Sequence, residues 1–227
     1  MVDLLGSPSL RTALRLSLVT ASLATVICIL VGVPMAWILA RVVFPGRRLV
    51  RAVIMVPLVL PPVVGGVALL TAFGRRGIVG GPVYDVFGLT IPFSTAAVVL
   101  SQVFVAVPFL VITVESTFRS ADRSLDEEAA TGGASRWQTF WHVNLPLAVP
   151  GIISGAVLAW ARSIGEFGAT ITFAGNAEGV TRTMPLEIYN ALQTDPEPAI
   201  ALSIVLLALS VLVLVALRDK WLTPPSI

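Results

Sequence analysis

Apolar residues dominate five stretches of helical length along this chain, and polar residues collect between them. The stretches are about 14–40, 50–73, 93–114, 147–166 and 198–217. Each approaches or exceeds the ~20 helical residues needed to cross a hydrocarbon core. The first holds no charged side chain from Leu16 to Ala40. That is too long for the core of a cleaved signal, and no small-residue cleavage site follows it, so it reads as a retained span. The pattern predicts an all-α, polytopic membrane helical bundle with five transmembrane helices, or six if a short extra span is present. A single transmembrane domain over 1–227, with a long polar segment at 115–145 whose most polar part is 120–145, accounts for the chain.

The second stretch is irregular. "MVPLVLPPVVGGVALL" carries Pro57, Pro61, Pro62, Gly65 and Gly66. Proline removes a helical donor and kinks the chain, and glycine admits a neighbouring backbone. Broken backbone at membrane depth survives only where protein or a watery cavity covers it. The segment is therefore either a kinked packing helix or a helix that lines or gates a path, with Pro61, Pro62 and Gly65 at the break.

The polar stretch "RSLDEEAATGGASRWQTFWHVNLP" (123–146) punctuates itself. Ser124 to Glu127 and Ser135 to Gln138 each fit a capping box. Gly132 and Gly133 between them predict a corner joining two short helices, and Pro146 stands where the next span begins. Trp137, Phe140 and Trp141 fall at i, i+3 and i+4, one apolar face. That face suits either the lipid headgroup level or a groove on a partner protein. Glu127 and Glu128 also suit an acidic first turn facing the helix dipole.

Composition narrows the class. Apolar residues are 56% of 227 and charged residues 12%, with a mean hydropathy of +0.91; soluble domains carry roughly 25% charged residues. The net charge of +2 gives no basis for nucleic-acid binding, since the basic residues sit at span ends. With the first loop in the cytoplasm, Arg41, Arg47, Arg48, Arg51, Arg119, Arg123, Arg136, Arg218 and Lys220 lie inside, against Arg11, Arg15, Arg75, Arg76, Arg162 and Arg182 elsewhere. This modest bias favours an N-terminus outside and a C-terminus inside, and a sixth, short span would reverse the N-terminus. Cys28, the single cysteine, lies inside a span and reads as a small buried side chain, and His142, the single histidine, as an interfacial one. Neither suggests a metal or cofactor.

One pair stands out against this background. "LAWARSIGEFGAT" (158–170) sets Arg162 and Glu166 at i, i+4 in an apolar or small run. An arginine at the bilayer centre costs at least ~2.5–3.5 kcal/mol on insertion scales. The two can neutralise each other on one helix face, although Arg-before-Glu is the weaker order. Gly165 and Gly168 should let another backbone approach. The pair is either a bundle-facing or outer-interface ion pair, or the border of a path, with Ser163 and Thr170 as further polar lining.

The 123–146 segment resembles the cytoplasmic EAA signature of permease subunits in binding-protein-dependent ABC importers. Gly133 through Val143-Asn-Leu145-Pro146 matches its second half, and counting back from Gly133 makes Glu127 the motif glutamate. Glu128 then stands where alanine is usual, followed by Ala129; counting from Glu128 fits the letters but puts the glycine one place early. Over roughly 10–217, "MVPLVLPPVVGG", "GRRG", "ARSIGEFGATITFAGN" and "TRTMPLEIY" look like molybdate-transport permeases, with sulfate and tungstate permeases as near relatives. The resemblance implies a type I importer fold and a homodimer around a central path. It also implies an extracytoplasmic oxyanion-binding protein, a bacterial cytoplasmic membrane location, and coupling helices over about 125–144 that dock on a separate cytoplasmic ABC ATPase. Glu127, Glu128, Ala129, Gly133, Trp137, Leu145 and Pro146 would make that coupling unit.

The residues agree that the motor is elsewhere. A Walker loop needs a Gly-rich run ending in Lys-Ser or Lys-Thr, and the only lysine, Lys220, precedes Trp221. Two other classes compete. An autonomous anion channel or ion-coupled transporter should carry its own mid-membrane coupling residues and often inverted repeats; only Arg162 and Glu166 qualify, and no repeat is visible. A structural scaffold has no evident use for the prolines and glycines of the second stretch. Partner dependence separates them, because the importer needs an ATPase. Molybdate, tungstate and sulfate are alike as tetrahedral dianions, and selectivity among them rests mainly with the binding protein.

Overall fold

The computed structural model describes residues 8–222 except 123. Arg123 of the orientation count lies outside the described residues, and so do the side chains of Arg218, Lys220 and Trp221. All described elements are helical. In chain order they are α1 (Pro8–Arg41), α2 (Arg47–Val59), α3 (Pro62–Phe73), α4 (Gly80–Phe87), α5 (Thr95–Ser120), α6 (Ser124–Thr131), α7 (Arg136–Thr139), a π turn (Phe140–Asn144), α8 (Leu145–Ile164), α9 (Gly168–Phe173), α10 (Met184–Thr194) and α11 (Pro196–Leu222).

Four of these are long and apolar enough to cross a membrane among the described residues: α1, α5, the continuous α7–α8 unit over Arg136–Ile164, and α11. The second predicted span is two half-length helices of 13 and 12 residues. Leu60 between them is extended, at φ −70° and ψ 131°. A residue before proline is pushed out of the helical region, and Pro62 restarts the helix at a position needing no donor. Among the described residues four unbroken apolar helices thus stand where five spans were expected, and the second of the five is a broken pair of short helices.

Other boundaries moved for identifiable reasons. α5 runs on to Ser120, so Glu115 and Arg119 belong to a helix and not to the polar loop. The expected second short helix is not separate: α7 passes through the π turn into α8. Between the fourth and fifth apolar stretches, where polar residues collect, lies α10, whose start is fastened by the Met184 N–H donating to Ser17 Oγ of α1 at 2.7 Å.

The core lies between α1, α5 and α8. Ala36, Ala106 and Ala159 are fully buried there, with Cys28, Leu110, Val111 and Val114. Small residues let the backbones close up: a Cβ on Gly32 would stand 2.6 Å from Leu110 Cδ2, and one on Gly155 would stand 3.3 Å from the Leu110 carbonyl. Association in lipid depends on such close packing, because lipid tails are as apolar as the side chains. α11 keeps most of its apolar surface outward, with Ile200, Ile204, Leu207 and Leu212 about 60% exposed.

A second packing unit joins the two short broken pieces, α3 and α9. A Cβ on Gly66 would lie 2.7 Å from Thr172 Cβ and 2.9 Å from the Ala169 carbonyl, and one on Gly168 would lie 2.6 Å from Pro62 Cβ. Gly165 does not share this role. Its nearest contact would be 3.8 Å from the Ala161 carbonyl of its own helix, and it caps α8. Gly66→Ala is expected to lower thermal stability in detergent by the ~1–3 kcal/mol typical of overpacking. Gly165→Ala should leave the melting curve in place, and equal melting of the two variants would contradict the α3–α9 contact.

Candidate functional site

Two regions gather the polar residues singled out above. The first lies at the end of the bundle where α1 and α5 stop. α6 is an acidic-start helix whose Ser124 N–H bonds Asp122 Oδ1 at 2.9 Å. Ser124 is already helical, and the predicted Ser124–Glu127 box does not form among the described residues. α6 ends in a Schellman turn: the Gly133 N–H bonds the Ala130 carbonyl and the Ala134 N–H the Ala129 carbonyl, each at 3.0 Å. Gly133 has φ +84°, the left-handed conformation glycine supplies without a steric penalty.

The second predicted box forms in full. The Gln138 N–H donates to Ser135 Oγ at 3.3 Å, and the Ser135 N–H to Gln138 Oε1 at 2.8 Å. Along α7 and the π turn, Phe140 is buried, its ring 5.0 Å from that of Trp37 on α1. Trp137 and Trp141 flank it at 5.6 and 5.4 Å but remain 63% and 49% exposed. The apolar face therefore divides: phenylalanine anchors the corner inward and the tryptophans are left for something else. Glu127 and Glu128 are exposed, Ala129 is half-buried on α6, and Leu145 and Pro146 open α8.

Two ion-pair clusters at this end were missed by sequence reasoning. Glu115, buried in α5, accepts from Arg51 of α2 and lies 3.0 Å from Arg119. Arg41 and Asp126 pair at 3.5 Å. Only Glu115 left a trace in the sequence, a carboxylate i, i+4 from an arginine at the edge of an apolar run. Together they place Arg41, Arg51 and Arg119 at one end of the bundle.

The second region is the broken end of α8. Arg162 lies in its last turn; the helix stops at Ile164, and Glu166 falls in the break. The two still pair, with Arg162 Nη1 2.6 Å from Glu166 Oε2. Glu166 is 1% exposed, which removes the wet outer-interface reading for the carboxylate within this chain. Its other oxygen accepts the Ala169 N–H at 2.9 Å, so the same side chain caps α9. The Ser163 and Thr170 hydroxyls are buried without a hydrogen-bond partner. Gly65 is buried against Phe104, while Pro61 and Pro62 lie on the exposed side of the α2–α3 break. Among the described residues no three His, Cys, Asp or Glu side chains converge as a metal site would require.

A family model described as a binding-protein-dependent transport system inner membrane component matches residues 11–223. The chain belongs to this family. As an inner-membrane permease it is 53% identical over 219 residues to the molybdenum transport system permease protein ModB of Mycobacterium tuberculosis, covering 96% of this chain and 82% of that protein. It is 42% identical over 210 residues to ModB of Escherichia coli, covering 92% of each. Among solved structures, a bacterial ABC transporter that imports the acidic polysaccharide alginate superposes with a TM-score of 0.75. That match has 19% identity and covers 98% of this chain and 83% of that one, and at this identity the permease shares the fold.

Proposed function

We propose that this permease is the membrane subunit of an ATP-driven importer of molybdate, working as a homodimer with a separate cytoplasmic ATPase and an external oxyanion-binding protein. It has no ATPase site of its own in this reading. The carrying observation is the corner at 124–144: α6 and the start of the α7–α8 unit, joined by a Schellman turn and a capping box, presenting exposed Trp137 and Trp141. Tryptophans that a fold anchors but does not bury suit a groove on a partner. Glu127, Glu128, Ala129 and Gly133 shape that unit, and Leu145 and Pro146 join it to α8. The 53% and 42% identities to molybdenum permeases favour molybdate over sulfate or tungstate.

The path runs past the α2–α3 break and the end of α8, bordered by exposed Pro61 and Pro62 and half-buried Arg162, with Gly65, Ser163, Glu166 and Thr170 buried behind them in the single chain. Arg162 already has a carboxylate at 2.6 Å, so it attracts a passing dianion without holding it. A carrier must release its cargo, and weak guidance suits that better than a tight anion site. The apolar side of α2 and α3, including Val56, Val59, Val63 and Val67, is open for the second copy.

The test is uptake of labelled molybdate into proteoliposomes holding this chain and its ATPase, with binding protein and molybdate outside. Uptake is expected to require ATP, and excess sulfate to compete poorly. Uptake without any ATPase would overturn the importer reading in favour of an autonomous transporter.

A further inference from the structure

We propose that Asp126 is a positioning residue that links the coupling corner to two membrane helices at once, through Arg41 and Asn144. This rests on the coupling role given to 124–144 above. Asp126 sits in the first turn of α6, beside exposed Glu127 and Glu128, where an acidic side chain would ordinarily face solvent and the helix dipole. It turns inward instead. Oδ2 lies 3.5 Å from Nη1 of Arg41, the last residue of α1, and Oδ1 accepts from Asn144 Nδ2 at 3.0 Å.

Both partners are built into the bundle. The Arg41 side chain is 8% exposed, and its Nη2 donates to the carbonyl of Ala121, the residue that caps α5, at 3.1 Å. Asn144 is 3% exposed and closes the π turn from which α8 departs. Its amide also reaches the Thr139 carbonyl at 3.4 Å. One carboxylate therefore ties α6 to the ends of α1 and α8 directly, and to α5 through Arg41.

The junction is also able to move. The π turn is a local i→i−5 insertion, with the Leu145 N–H bonded to the Phe140 carbonyl, of the kind often found at functional points in helices. A cavity of about 230 Å³ adjoins the three side chains, lined further by Trp37, Arg136 and Thr139. Neither Nε nor Nη1 of Arg41 has a hydrogen-bond partner, so the 3.5 Å contact with Asp126 is an ion pair looser than a charge-assisted bond. A displacement of the corner can thus be passed on by exchanging partners within the cavity without unfolding a helix.

The experiment uses the complete transporter in proteoliposomes and reads molybdate uptake per ATP hydrolysed. Asp126→Asn is expected to lower that ratio by about fivefold or more, with the KM for ATP and the subunit stoichiometry unchanged. Arg41→Gln and Asp126→Asn combined should lose less than the sum of the two single losses, because both cut the Arg41–Asp126 link. Asp85→Asn, on exposed α4, should couple normally. A wild-type ratio in Asp126→Asn, or strictly additive losses in the double variant, overturns the proposal. If the Asp126→Asn complex comes apart on purification, the ratio is read in Asn144→Ala and Arg41→Lys, and normal coupling in both overturns it. Failure of the wild-type complex to take up molybdate with ATP would instead strike the importer reading itself.

Discussion

Gly133→Val is expected to cut ATP-driven molybdate uptake by roughly tenfold or more while the membrane bundle stays folded. At φ +84° a side chain is forced into the left-handed region, where L-residues lose roughly 1–2 kcal/mol and a β-branched residue more. A Cβ there meets nothing within 4 Å, so crowding cannot explain a loss; only the backbone angle is at stake. The substituted turn relieves that strain by opening, which breaks the two Schellman bonds and frees α6 from its angle to Trp137 of α7 and Trp141 of the π turn. Because Gly133 itself packs against nothing, and Phe140 keeps the far side of the corner anchored in the core, the melting curve should move less than transport. Asparagine tolerates the left-handed conformation, so Gly133→Asn should recover much of the uptake. Equal losses for valine and asparagine would show that the angle is not what matters.

This corner was legible in the sequence because local rules govern it. Glycine at a helix end, a Ser-x-x-Gln box and a Pro-opened span each act within a few residues. The break at Leu60–Pro61 was legible for the same reason. Less legible was anything depending on a distant partner. Glu115 looked like the first residue of a polar loop, since nothing local announces that Arg51 will reach it across the bundle. Asp126 could not be told from Glu127 and Glu128, because what separates the three is the end of α1, 85 positions away. Gly165 and Gly168 looked equivalent, and only the arrival of Pro62 distinguishes the contact from the cap. The family resemblance, carried by motif spacing, supplied what periodicity could not.

Glu166→Gln carries the other large effect, a fall in the amount of folded permease recovered from the membrane. It leaves the Arg162 charge near the end of a membrane helix without its counter-ion, and removing one partner of a buried pair costs ~3–5 kcal/mol. Arg162 is 29% exposed on its side chain, so the lower end of that range applies. Glutamine keeps an acceptor for the Ala169 N–H, so the loss isolates the charge from the α9 cap; Glu166→Ala removes both and should accumulate less still. Replacing both charges, Arg162→Met with Glu166→Gln, takes away the stranded cation and should restore recovery. Uptake in that double variant then decides what the pair is for. Full recovery with wild-type uptake would make it a structural staple at the α8–α9 break, and the path assignment of Arg162 and Glu166 would fall. Full recovery with uptake reduced about tenfold, the expected result, requires the charges to act on the anion, because the helices they fasten would already be in place.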